Sequence, residues 1–444
     1  MKNYTLFLIA VFLSVGCAGT NPDWKADAAS AEDTHAAMQK LTDIIVHDIF
    51  SPPVAARIYS YASIAGYEAL QHDYPEYKTL QGQINELENL PQPAAGQDYC
   101  YPLASLQAFT IVGKALIFSE DKMDVYRTEL LEKYKKIGMP AEVYERSLAF
   151  GEKTAQAILA WADKDNYKQT RTFPKYSISE ESELWKPTPP DYMDGIEPHW
   201  REIRTLVIDS AQQFRPLPPT AFSLEKDSKF YRETMEVYEA LQVADEKERD
   251  ERLAIAKFWD CNPYVSTHSG HVMFATKKIT PGGHWMGITK IACTQSDADM
   301  MRSTEAYTRV SIALMDAFIA CWDEKYRSNL VRPETVINEN IDEDWRPLLQ
   351  TPPFPEHTSG HSVISRASAV ALTQLFGTDF SFEDVTEEPY GLPVRNYSSF
   401  YEASEEAAVS RLYGGIHYRP AIDYGVEQGQ QIGEFITEEL VTRN

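Results

Sequence analysis

Residues 305–326 read EAYTRVSIALMDAFIACWDEKY, and Arg332-Pro333 follow shortly after. Apolar residues fall three and four apart, at Val310, Leu314, Ala317, Phe318 and Cys321, which is the period of a helix with one buried side. Lys325 lies about 20° round the helix from Leu314 at 3.6 residues per turn, so it continues the buried stripe. A lysine turned inward needs an anion or a carboxylate beside it, because an unpaired buried charge is costly. Arg332 would fall on the same side if the helix persisted. Pro333 disfavours helical backbone at the residue before it, so the helix is expected to end there.

The same spacing recurs along the chain, at Ala36–Phe50, Val54–Gln71, Leu103–Phe118, Ala141–Asp163, Tyr231–Val243 and Glu246–Trp259. No long alternating run predicts a sheet, and no repeat of fixed period is present. Proline-rich stretches at 91–102, 187–198, 214–220 and 352–355 read as ordered loops between helices. The expected fold is all-α, a multi-helix domain.

Composition narrows the functional classes. A chain of 444 residues with 43% hydrophobic and 12% aromatic residues can bury a large core and is globular rather than disordered. Lys plus Arg number 42 against 66 Asp plus Glu, a formal charge of −24 that repels nucleic acid and anionic membrane. An anion site in such a shell must be a local basic pocket. At the N-terminus Lys2 precedes an apolar run, Leu6 to Val15, and then Gly16-Cys17. That pattern predicts a secretory signal too short to span a membrane, and a cysteine after a small residue predicts lipidation, as in a bacterial lipoprotein. The expectation is an exported protein, periplasmic or anchored to the outer membrane through Cys17. The expected organisation is a signal peptide over 1–17, a polar tether over 18–32, an N-terminal helical region over 33–200 and a C-terminal one over 201–444. Cys100, Cys261, Cys293 and Cys321 are spaced too widely for a zinc motif or a dense disulfide framework, and read as buried thiols.

Two further segments accompany Lys325 and Arg332. Phe354-Pro355-Glu356-His357-Thr358-Ser359-Gly360-His361 is a proline-bounded loop feeding an Ala-rich helical stretch that ends near Gly377. Such a loop presents free backbone N–H groups where they can hold an oxyanion. Gly360 permits close approach to the backbone, Ser359 supplies a hydroxyl, and His361 in the first turn is placed for proton transfer. An earlier copy, Ser269-Gly270-His271, has no Lys/Arg pair before it and reads as structural or accessory. The third segment is Ser410-Arg411, then Gly414-Gly415, then His417. An unbroken helix would turn Arg411 and His417 to different sides, but the two glycines offer a break and Pro420 suits the start of another helix. Taken singly, each of these residues has an ordinary structural explanation as a solvated helix end or a satisfied core group.

In order, Lys-x6-Arg-Pro, Ser-Gly-His and Ser-Arg-x5-His resemble the signature of the vanadium-dependent haloperoxidases and their relatives, the type 2 phosphatidic acid phosphatases and class A acid phosphatases. The signature spans 325–417. Phe258-Trp259-Asp260 and Pro281-Gly282-Gly283-His284-Trp285 also look like the exported bacterial branch of that family. The resemblance implies two packed helical bundles with the site in the C-terminal one, and a vanadate cofactor. It implies that His417 binds vanadate, or accepts a phosphoryl group in a phosphatase. His361 would be the acid/base, and Lys325, Arg332 and Arg411 would neutralise the oxyanion. Ser359 and the Gly360 N–H would donate to it. Trp322 and Phe354 match aromatic and apolar positions near the halide site, where core packing is an equally good explanation.

The resemblance further implies hydrogen peroxide, a halide (iodide or bromide before chloride) and a small organic acceptor as reaction partners, or a phosphate ester. The alternatives are a phosphomonoesterase with His417 as nucleophile and a non-enzymatic surface lipoprotein. Two positions depart from the family pattern. Thr358 stands where a proline is usual, and Ala421 stands where an aspartate normally orients the ligand histidine, Asp423 falling two places late. Something else must then fix the His417 ring.

Overall fold

A computed structural model describes residues 20–444 apart from 264, 270, 271 and 276, so Cys17, the expected signal peptide and Gly270-His271 lie outside the described residues. In the first part of the chain the helices are α1 (Trp24–Ala28), α2 (Ala31–Asp48), α3 (Pro52–Leu70), α4 (Tyr101–Leu116), α5 (Glu120–Lys136), α6 (Ala141–Ala162) and α7 (Tyr167–Thr170). The second part holds α8 (Lys229–Glu239), α9 (Glu246–Phe258), α10 (Pro281–Gln295), α11 (Met300–Ser328) and α12 (Pro333–Asn340). It closes with α13 (Gly360–Phe376), α14 (Phe400–Tyr413) and α15 (Arg419–Glu439). Two antiparallel hairpins interrupt the helices, β1 (Ser266–Ser269) with β2 (Val272–Ala275) and β3 (Phe382–Asp384) with β4 (Arg395–Tyr397).

The long helix α11 is the centre of the molecule. It packs against α3 on one side and α13 on another. Helices α3, α4 and α6 pack together as one bundle, and α13, α14 and α15 as a second. α11 therefore belongs to both. The apolar stripe read at 310–321 is part of a buried run from Met300 to Lys325 broken only at Arg302, and α3 is buried along its whole length. Asp316, deep within α11, accepts backbone N–H groups of Leu206, Val207 and Ile208 at 2.6, 2.7 and 3.0 Å, which straps that segment across the helix.

Helix ends differ from the sequence expectation where caps decide them. α11 begins earlier, because the Asp299 side chain accepts from Arg302 N, and stops at Ser328 with Asn329 in the left-handed region. Arg332 is extended, with φ −76° and ψ 150°, and Pro333 opens a new helix. Tyr101-Pro102, expected within a loop, start α4. Helix α5 escapes a periodicity reading because it buries only Met123, Leu130 and Tyr134. Helix α10 hides behind Pro281-Gly282-Gly283, where Thr280 caps by accepting from Gly283 N. The segment expected as a tether is docked from Asn21 onward: Asn21 N bonds the Gly138 carbonyl at 2.9 Å, and Trp24 and Ala28 are buried.

Close packing of α15 on α13 sets the site. Gly425, Gly429 and Gly433 lie four apart on one side of α15. A Cβ at Gly425 would come within 2.8 Å of Ser362 Cβ, one at Gly433 equally near Val370 Cβ, and one at Gly429 would overlap the Val363 carbonyl. Without side chains there, the helix carrying His361 and the turn carrying His417 approach closely.

Candidate active site

His417 follows the break that the sequence predicts. Helix α14 ends at Tyr413, Gly415 takes φ +77°, and α15 begins at Arg419. The ring is buried, and its Nδ1 lies 2.9 Å from Glu356 Oε1, which also accepts the Tyr418 backbone N–H at 2.9 Å. Its Nε2 faces Arg332 Nη1 at 3.2 Å. Arginine can only donate, so Nε2 carries the lone pair and Nδ1 carries the proton given to Glu356. Glu356 thus does the work of the aspartate missing at position 421. Sequence reasoning passed over it because a single acidic residue between Pro355 and His357 has no periodicity to mark it.

The other family positions converge around this ring. His417 and His361, with Arg411, Gly360, Trp322 and Phe354, line one narrow cleft, together with Asp260, Cys261 and Ile416. Arg332 reaches it from behind, where Nε donates to the Phe354 carbonyl at 2.9 Å and Nη1 to that of Ile416 at 2.8 Å. Arg411 Nη2 donates to the Trp259 carbonyl at 2.6 Å, and Nε to Ser410 Oγ at 2.9 Å. Ser359 is the N-cap of α13 and accepts from Ser362 N at 3.3 Å, which leaves its hydroxyl proton free to donate.

Lys325 is fully buried as expected, but its partners are neither an anion nor a carboxylate. Its three N–H groups go to the carbonyls of Pro355, Glu356 and Thr358, at 3.2, 3.1 and 2.5 Å. It therefore holds the 355–358 loop in place and acts on the pocket through its charge. Trp322 and Phe354 stand with ring centroids 4.9 Å apart. Lys325 Nζ lies 5.0 Å and Arg332 Cζ 5.1 Å from the Phe354 centroid, so this aromatic wall borders the cations.

Electrostatics show a pocket short of negative charge. Burial lowers Lys325 to about 8, Arg332 to about 10 and Arg411 to about 10. His417 is pushed well below its ordinary value by burial, then by Arg332, Lys325 and Arg411. His361 is likewise well down, by burial and by Arg411, with a hydrogen bond to the Trp259 backbone acting the other way. Burial raises Glu356 to about 7 against the pull of Arg332. Arg332 Nη2 and His361 Nε2 are buried without a partner. Buried polar groups are rarely left unmade, and these two sit among three cations, of which Lys325 and Arg332 are opposed by Glu356 and Arg411 by Asp260. An oxyanion supplies the acceptor that Arg332 Nη2 lacks and the negative charge that the cations lack, and the residues present fit one.

Residues 305–442 match the family model described as the VCPO second helical-bundle domain. The crystal structure of a bacterial enzyme, described as the first bacterial vanadium-dependent iodoperoxidase, is 49% identical with a TM-score of 0.88, covering 94% of this chain and 98% of that one. This chain belongs to the vanadium-dependent haloperoxidases. A bacterial vanadium-dependent chloroperoxidase in its holo form shares the fold at TM-score 0.67 and 17% identity, over 88% of this chain and 93% of that one. Its apo form gives 0.65 at the same identity, covering 88% of this chain and 95% of the other. No curated protein sequence matches the chain.

Proposed function

We propose that this haloperoxidase oxidises iodide with hydrogen peroxide at a vanadate centre held by His417 Nε2. The observation that carries the assignment is the Glu356–His417 pair, which presents an unprotonated Nε2 to a pocket of three cations. Bound vanadate supplies a Lewis-acidic centre at which peroxide is activated toward halide. Arg332 and Arg411 neutralise the oxyanion from two sides, and Lys325 does so through its field. Ser359 and the Gly360 N–H donate to it. His361 bonds Trp259 through one ring nitrogen and leaves Nε2 bare, so it can take a proton from peroxide. Iodide is placed before bromide and chloride because the 49%-identical relative is described as an iodoperoxidase. Trp322 and Phe354 border the same cleft, next to Lys325 and Arg332, where a halide would approach.

A small organic acceptor for the oxidised halide belongs to the same reading. The Gly16-Cys17 pattern supports export and lipid anchoring, and mass spectrometry of the mature N-terminus from the native host tests it. The test of activity is one purified preparation assayed with orthovanadate for peroxide-dependent oxidation of iodide, bromide and chloride, and without it for phosphate-ester hydrolysis. Iodide oxidation that requires vanadate is expected. Hydrolysis without any vanadate-dependent oxidation would replace this assignment by the phosphatase one.

A further inference from the structure

Beside the oxyanion pocket lies a second buried constellation that vanadate chemistry does not use. Cys261 follows α9, His284 stands in the first turn of α10, and Glu387 lies in the connection between β3 and β4. Their exposures are 1%, 0% and 5%. Cys261 Sγ is 3.5 Å from His284 Nδ1 and 3.7 Å from Glu387 Oε1, and Nδ1 is 3.1 Å from Oε1. The other ring nitrogen, Nε2, bonds Asp384 Oδ2 at 2.7 Å, and Asp384 Oδ1 accepts Thr386 N at 2.9 Å.

We infer that Cys261 Sγ, His284 Nδ1 and Glu387 Oε1 form a binding site for a zinc ion. Tetrahedral zinc with the usual bond lengths separates sulfur from nitrogen by about 3.6 Å, nitrogen from oxygen by about 3.3 Å and sulfur from oxygen by about 3.6 Å. The three distances in this protein agree with these within about 0.2 Å. A thiolate with an imidazole and a single carboxylate selects zinc over magnesium or calcium, which take oxygen ligands. Asp384 supplies the second carboxylate that commonly orients a metal-bound histidine from its far nitrogen.

The fourth coordination position remains for water or another ligand. Sequence spacing did not reveal this site because its ligands come from three segments and include only one cysteine.

The site has a structural consequence for its neighbour. Trp259 stacks on the His284 ring, with centroids 4.4 Å apart and planes 18° apart, and its carbonyl receives Arg411 Nη2. Asp260 and Cys261 line the oxyanion cleft. Zinc would pin the 259–261 corner from behind and so position Arg411.

The test is metal content of the full chain after exposure to zinc chloride and removal of loosely bound metal, with zinc and vanadium measured separately. About one equivalent of zinc is expected in the wild type, and less than about a tenth in Cys261→Ser and in Glu387→Gln, as for a site that needs all its ligands. Circular dichroism of both variants confirms that they fold. Cobalt replacing zinc in the wild type is expected to show a thiolate-to-cobalt charge-transfer band, a readout that needs no variant. A wild type without zinc and without that band would overturn the inference, as would folded variants with undiminished zinc. Vanadium content reports the haloperoxidase assignment independently, so either can fail alone.

Discussion

Glu356 and His417 are 61 positions apart, and their bond decides which nitrogen of the histidine is available. Glu356→Gln keeps the shape but cannot hold the Nδ1 proton as a carboxylate does. Vanadate affinity is expected to fall about 10–100-fold, the usual effect of losing a partner behind a ligand histidine. Equilibrium titration with orthovanadate measures it, and unchanged affinity would remove Glu356 from its role. Lys325 carries a pH dependence. Burial lowers it to about 8, and an anion in the pocket favours its charged form, so vanadate affinity should be greatest below pH 8 and fall as pH rises through that value. Lys325→Arg stays charged, and its affinity should lack that component; vanadate's own ionisation is common to both proteins and cancels in the comparison. The cations and histidines were legible in the sequence because short motifs mark them. Glu356 was not, since its partner comes from a distant turn. Nor could sequence show that Lys325 spends its N–H groups on three carbonyls.

Among the elements, those with a full apolar stripe were legible to within a few residues, and those resting on a cap or a few contacts were not. α11 is the first kind; α5 and α10 are the second. The glycines of α15 form a less visible pattern, because their role is to leave room. Gly429→Ala improves helix propensity by up to about 1 kcal/mol but drives a Cβ into the Val363 carbonyl. Overlap against backbone outweighs propensity, and a net loss of about 1–3 kcal/mol is expected in urea unfolding. Separation of α13 from α15 should also weaken vanadate retention, since Ser359 N bonds the Ala421 carbonyl across the same contact at 2.9 Å. A variant as stable as the wild type would show that the helices are not held at that distance.

At the scale of the molecule, two bundles were implied by family resemblance, but their sharing of α11 was not. One hydrophobic cluster includes Ile58 and Ala104 from the first bundle and Val363 and Ile432 from the second, joined through Leu314 and Phe318. The regions 33–200 and 201–444 should therefore unfold together, as a single calorimetric transition with matching calorimetric and van't Hoff enthalpies. Two separated transitions would mean that α11 does not couple them. The acidic surface and the basic site belong to the same scale: within a formal charge of −24, Lys325, Arg332 and Arg411 form a buried positive centre. The central claim is that His417 binds that anion and His361 moves protons beside it. Bound vanadium per protein, measured after incubation with orthovanadate and desalting, tests it most directly when paired with iodide oxidation. His417→Ala should lose both, while His361→Ala should keep vanadium and lose about 100-fold or more in rate. A His417→Ala protein with wild-type vanadium and turnover would contradict the account.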